Sequence, residues 1–191
     1  MREDVRGLRS GNCFRVLKQV FCAANARFGF RLIHYSVQGN HIHLLVEAEG
    51  TRALSRGMQG LNVRMAIALN RLMRRRGKVL ADRYHAVVLR TPTQTARARH
   101  YVLHNRQHHA PGRYAADWRD PFASAEAPLV EPRTWLLRRE EVGEQFGDAG
   151  GLVAEEHVAG GGDDFAAGAF DGRAARAAVA EAVFGLGRLH Y

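Results

Sequence analysis

"FRLIHYSVQGNHIHLLVE", residues 30–47, holds two short β-rich runs, Phe30–Val37 and 41–47, on either side of Gln38-Gly39-Asn40. Runs of this length, broken by Gly and Asn, read as a β-hairpin, and the Gly-Asn pair suits positive φ in a tight turn. Side chains alternate along a strand, so His41 and His43 share one face while Ile42, Leu44 and Val46 share the other. A strand face packed on a core would prefer Val or Ile at both histidine positions. Two adjacent imidazoles can instead hold one cation between them, although a hydrogen-bonded structural pair fits the same pattern. A divalent ion needs more than two ligands, so a third would have to come from elsewhere, oxygen-bearing if the ion is Mg²⁺ or Mn²⁺.

Outward from the hairpin, residues 12–28 read as a helix capped by Ser10 or Asn12, with Phe14, Leu17, Phe21 and Ala24 at helical spacing. On the other side, residues 54–76 form a long helical pattern. Leu54, Met58, Leu61, Met65, Leu69 and Leu72 fall in one arc, away from Arg56, Arg64, Arg71, Arg75 and Lys78. No acidic residue lies between Thr51 and Ala81, so this basic stripe has no i,i+4 partner and favours a phosphate. Residues 82–90, "DRYHAVVLR", read as a further strand, and "TPTQTARARHYVLHNRQHH" as a helix capped by Thr91 with Pro92 at its first position. Helix, strand, strand, helix, strand, helix predicts an α+β fold with an antiparallel sheet.

The chain has 191 residues, 46% of them hydrophobic, enough for one globular domain with an appendage. There is no charge-free apolar run of about 18 residues, and "MREDVRGLRSGN" has no hydrophobic signal core, so the pattern predicts a cytoplasmic protein without membrane attachment. Cys13 and Cys22, nine apart on one helical pattern, suit neither a disulfide framework nor a zinc ribbon. Up to residue 125 there are 22 lysines and arginines against seven acidic residues, a net of +15; residues 126–191 hold six against twelve, a net of −6. An excess of that size attracts polyanions and makes nucleic acid the leading partner. The opposite charge of the remainder predicts that it screens the basic part.

Tyr101 and Asn105 lie four apart in the last helix of the basic part, hence on one face. An amide oxygen can ligate a metal, and a phenolate can attack a phosphodiester and form a covalent phosphotyrosine. A half-buried Tyr with a capping Asn would look the same in isolation. His100, His104, His108 and His109 are irregularly spaced at a helix end and read as solvent-facing or phosphate-contacting rather than as a metal tract.

Taken in order, "YSVQGNHIHLLVE", "LSRGMQGLNVRMAIALNRLMRRRGKVLADRYHA" and "YVLHN" resemble the single-tyrosine HUH transposases, in particular the REP-associated branch of these insertion-sequence transposases. The resemblance covers about residues 13–109. It implies a ferredoxin-like α+β domain with a central antiparallel sheet, in which His41 and His43 match the HUH histidines, Tyr101 the nucleophile and Asn105 the polar metal ligand. The implied chemistry is transesterification of single-stranded or hairpin DNA with a divalent ion, Mg²⁺ or Mn²⁺, through a 5′-phosphotyrosine. The same resemblance implies a homodimer able to supply the tyrosine helix in cis or in trans. It makes Arg83 in "DRYHA" a phosphate contact, with Arg56 and Gln59 on the preceding helix beside it. A catalytically decayed or domesticated module that only binds DNA hairpins is the alternative.

Family members usually begin with a strand, ending in a pattern like His-Val-Thr-x-Arg, before the segment matching Val5 onward. The expectation is therefore an N-terminally truncated ferredoxin-like sheet whose missing interior strand is covered by another segment, a partner or solvent. Residues 1–125 read as the transposase-like domain and 126–140 as a family-like tail. Residues 141–191 read as a Gly/Ala-rich acidic linker, disordered over about 141–164, followed by an Ala-rich terminal helix.

Overall fold

The computed structural model describes residues 7–23, 29–80, 84–108, 110–115, 117–124, 127–138 and, as backbone, 176–183. Ser10 caps α1 (Gly11–Ala23) through its Oγ, which accepts from the Cys13 N–H at 3.4 Å. Cys13, Leu17 and Phe21 recur every fourth residue and form its buried stripe. Both cysteines are free thiols, Cys13 buried and Cys22 exposed. Residues 24–28, over which the helix was expected to continue, lie outside the described residues.

β1 (Phe30–Val37) and β2 (His41–Ala48) form the expected antiparallel hairpin, from Val37 opposite Ile42 to Phe30 opposite Ala48. Its turn differs from expectation. Neither Gly39 nor Asn40 adopts positive φ. The connection is held instead by the Gln38 N–H donating to the His41 carbonyl (2.9 Å) and the Leu8 N–H donating to the Gly39 carbonyl (3.1 Å). A register shift between Leu32 and His34 bulges β1, so that Leu32 opposes Val46 and His34 opposes Leu45.

α2 (Thr51–Leu72) buries Leu54, Met58, Leu61, Met65 and Leu69, the arc read from the sequence, while Leu72 at its end is 37% exposed. With α1 it covers one face of the sheet, packing on Leu32, Tyr35, Ile42, Leu44 and Val46. The contact with β1 is close at Gly57, where a Cβ would stand 2.1 Å from the Phe30 ring. We expect Gly57→Ala to cost about 1–3 kcal/mol through overpacking, despite the helix-propensity gain of alanine. Gly60→Ala, whose Cβ meets nothing within 4 Å, should stabilise by up to about 1 kcal/mol. Urea denaturation of the two variants tests this opposition of sign.

β3 is short (His85–Val88), and α3 (Pro92–His108) starts on a reciprocal cap. Thr91 Oγ1 accepts from the Gln94 N–H at 3.2 Å, while Gln94 Oε1 accepts from the N–H groups of Arg90 (2.8 Å) and Thr91 (3.3 Å). α3 lies on the sheet face opposite α1 and α2, where Val102 packs with Leu45 and Leu89. Past α3 the chain returns along the outer edge of β1. There Val37 donates to Phe122, Ser124 to Tyr35 and Leu129 to Ile33, backbone to backbone, at 2.9–3.0 Å. The exposed edge of the hairpin is thereby covered. Arg9 clasps Asp120 with two hydrogen bonds of 2.7 and 2.8 Å, and the chain continues to a short α4 (Trp135–Arg138).

The Ala-rich segment expected as a terminal helix is a strand, β4 (Arg176–Val183), and the sheet order is β1-β2-β4-β3, antiparallel throughout. It takes the interior slot between the histidine strand and β3. Alanine's helix propensity is a weak prior, and a slot between two strands offers hydrogen-bond ladders on both sides. The fold is thus an α+β structure on an antiparallel sheet. The stretch 141–164, read as disordered, lies outside the described residues.

Candidate active site

The alternation of β2 places His41 and His43 on the face covered by α3, opposite the apolar Ile42, Leu44 and Val46. Their Nε2 atoms approach to 3.1 Å and their ring centroids to 4.7 Å. His41 Nδ1 lies 2.8 Å from Asn40 Oδ1, an atom that only accepts, so Nδ1 carries the proton and the Nε2 lone pair is presented to the site. His43 is buried at 3% exposure.

α3 delivers the other two residues. The Tyr101 ring stands edge-on to His43 of its own chain, centroids 5.2 Å apart, and 6.3 Å from the ring of His108. Tyr101 is 40% exposed, so a large substrate can reach it. One turn on, Asn105 is fully buried, and neither its Oδ1 nor its Nδ2 has a hydrogen-bond partner. An unsatisfied amide of this kind is unusual in a folded interior and leaves both amide atoms available to a ligand. The donor set of two imidazoles and an amide fits a divalent cation: His41, His43 and Asn105 would hold it, with oxygen from substrate or water filling further positions. Among the described residues no group of three or more His, Cys, Asp and Glu side chains is placed to hold an ion.

The basic residues read from the sequence are not brought to this site. α2 packs on the opposite sheet face, so its exposed Arg56, Gln59 and Arg71 lie away from the histidines, while Lys78, beyond the end of α2, is exposed. Arg64 reaches the Ala23 carbonyl at 3.4 Å and Arg75 the Lys78 carbonyl at 3.0 Å. Arg83 lies outside the described residues. Sequence reading passed over the positive charge of α3 itself, which carries Arg97, Arg99 and Arg106 and no acidic residue. The absence of Asp and Glu from 92–108 was the available signal. On the same helix His100 and His104 stack with centroids 4.4 Å apart, and burial, then the neighbouring His104 and His108, hold His100 below the usual imidazole pKa.

His34, on the site face of β1, is also absent from the sequence reading. Its Nδ1 lies 3.0 Å from Ser124 Oγ, and burial, then the Arg99 charge, push its pKa down from 6.5 to about 4. Below about pH 6.5 the unfolded imidazole takes up a proton that the folded one refuses until about pH 4. Stability should therefore fall by about 3 kcal/mol as pH drops through that window. Urea denaturation at the two ends of the window, on wild type and His34→Gln, measures it; the variant should lose this part of the dependence.

A cleft of about 640 Å³ lined by Leu103, His104, Arg119, Asp120, Pro121 and Ser124 contains none of the four site residues. None of the described helices is long and apolar enough to cross a membrane. No curated protein and no solved structure matches the chain. A comparison with protein families matches residues 6–105 to the IS200-like transposases. That match spans more than half of the sequence, including both histidines, Tyr101 and Asn105, and the chain belongs to the IS200-like transposase family.

Proposed function

We propose that this transposase cleaves and rejoins single-stranded DNA with Tyr101 as nucleophile, at a divalent-cation site formed by His41, His43 and Asn105. The observation that carries the reading is the buried, unpartnered amide of Asn105 one helical turn from a tyrosine whose ring abuts His43. A bound Mg²⁺ or Mn²⁺ supplies charge that offsets the negative oxygens of the scissile phosphate. Tyr101 Oη attacks phosphorus, the P–O3′ bond breaks, and the 5′ phosphate remains on the tyrosine while the 3′ oxygen leaves as a hydroxyl. The reverse attack by a 3′-hydroxyl restores the phosphodiester and frees the phenol. The ester bond energy is kept in the phosphotyrosine, so no nucleotide triphosphate is consumed.

Asn40 holds His41 in the tautomer that presents Nε2, and the capped α3 holds Tyr101 against His43. Arg97, Arg99 and Arg106 place positive charge along the nucleophile's helix, and the α2 stripe offers a second phosphate-contacting surface on the opposite side of the sheet. Because Tyr101 meets His43 within one chain, a homodimer would not be needed to complete the pair. The test is incubation of the full chain with hairpin-flanked single strands and Mn²⁺. A denaturation-resistant protein-DNA adduct supports the proposal. Salt-sensitive binding without an adduct would instead point to a DNA-hairpin-binding module.

A further inference from the structure

Past the C-terminal end of α3 the chain folds back onto that helix. Gln107 Nε2 donates to the carbonyls of Ala115 (3.2 Å) and Trp118 (3.0 Å), and Arg106 Nε donates to the Tyr114 hydroxyl oxygen (3.2 Å). Held in this way, the Tyr114 and Trp118 rings stack on each other, with centroids 4.0 Å apart and planes 20° from parallel. Both residues stay partly exposed, and neither belongs to the two apolar clusters of the core. Arg113 and Arg119 flank the pair in sequence. With Arg106 they set three guanidinium groups against one carboxylate, Asp117, over residues 106–119.

We infer that Tyr114 and Trp118 form a stacking platform for unpaired bases of single-stranded DNA, beyond the segment that matches the family. The class of ligand, a single strand, rests on the strand-cleaving reading given above. Every base has a π-face, and an aromatic ring that exposes one accepts it whatever the sequence. Bases of a duplex are already stacked on their neighbours, so the platform selects unpaired nucleotides. The three arginines supply positive charge for the backbone that joins the stacked bases. Because the rings are ordered before a strand arrives, binding does not have to pay for ordering them. Tyr101 and Arg106 are five residues apart on α3, about 7.5 Å of helix rise, which places the platform close to a strand held at the nucleophile.

Trp118 and Trp135 are the two tryptophans of the chain, and Trp135 is 62% exposed outside the platform, so Trp135→Phe leaves Trp118 as the sole indole reporter. The test is titration of the full chain carrying Trp135→Phe and Tyr101→Phe, with EDTA present, so that binding is read apart from cleavage. An oligothymidylate should quench the Trp118 emission. An abasic strand of the same length keeps the phosphates and lacks the bases; it should bind more weakly and leave the emission unchanged. Trp118→Ala and Tyr114→Ala should each lower single-strand affinity by about 5- to 150-fold, the range of one lost base stack, with duplex affinity preserved, while Trp118→Phe should retain most of it. Should the alanine variants fail to fold, the quenching and the abasic comparison decide. Oligothymidylate binding without a change in Trp118 emission, equal affinity for the abasic strand, or wild-type affinity in folded alanine variants overturns the platform and leaves the strand-cleaving reading standing. Absence of binding to any single strand overturns both.

Discussion

Tyr101→Phe should abolish the covalent protein-DNA adduct, lowering its rate of formation by roughly 10⁴-fold or more, the scale on which removal of a nucleophile acts. The phenylalanine ring keeps the edge-on contact with His43 and loses only the attacking oxygen. Since Tyr101 is 40% exposed, stability should stay within about 0.5 kcal/mol of wild type. DNA affinity at low salt, set by arginines the substitution does not touch, should also be preserved. The measurement is denaturing electrophoresis of labelled single strands with Mn²⁺, beside a binding titration on the same preparations. An adduct that survives in the variant would remove Tyr101 from the chemistry. Loss of DNA binding together with the adduct would make its role one of binding.

The largest stability effect is expected at Glu47, four residues beyond His43 on the same face of β2. Its carboxylate is 1% exposed and accepts from the backbone N–H groups of Arg133 (2.8 and 3.0 Å) and Thr134 (2.7 Å) and from the Thr134 hydroxyl (2.5 Å). The Arg31 Nε stands 3.6 Å away and makes no hydrogen bond of its own. Glu47→Ala strands several donors and removes the counter-charge of the part-buried Arg31, which should cost about 3–5 kcal/mol. Glu47→Gln keeps one acceptor oxygen and should cost less, about 1–3 kcal/mol. Urea denaturation measures both; a loss under about 1 kcal/mol for the alanine variant would show that residues 131–134 dock without this clasp. Through Arg133 and Thr134 the clasp ties this segment to the strand that carries the histidines.

Much of this architecture was legible because its signals are local. The hairpin followed from two β-rich runs and a short break, and the α2 arc from Leu and Met at helical spacing. Thr91 and Pro92 marked the start of α3. The turn was misread at Gly39 and Asn40, because the contact that shapes it, Leu8 to Gly39, comes from far along the chain. The basic stripe of α2 was read as a phosphate-contacting face, but where it lies relative to the histidines was not legible, because helical periodicity says which residues share a side of a helix and not which face of a sheet that helix covers.

The order of elements from α1 to α3, the pairing of His41 with His43 on one strand face and of Tyr101 with Asn105 on one helix face were determined by the sequence alone, since each depends only on strand or helix period. The tertiary structure decided what those faces meet: α3 on the histidine side, α2 on the other, and a buried Asn105 without a partner. It also decided the state of "RAAVAEAV", whose alternation and whose alanines point to different structures. An interior slot bordered by β2 and β3 satisfies backbone donors and acceptors on both sides of the segment, and no local pattern in those eight residues carries that information.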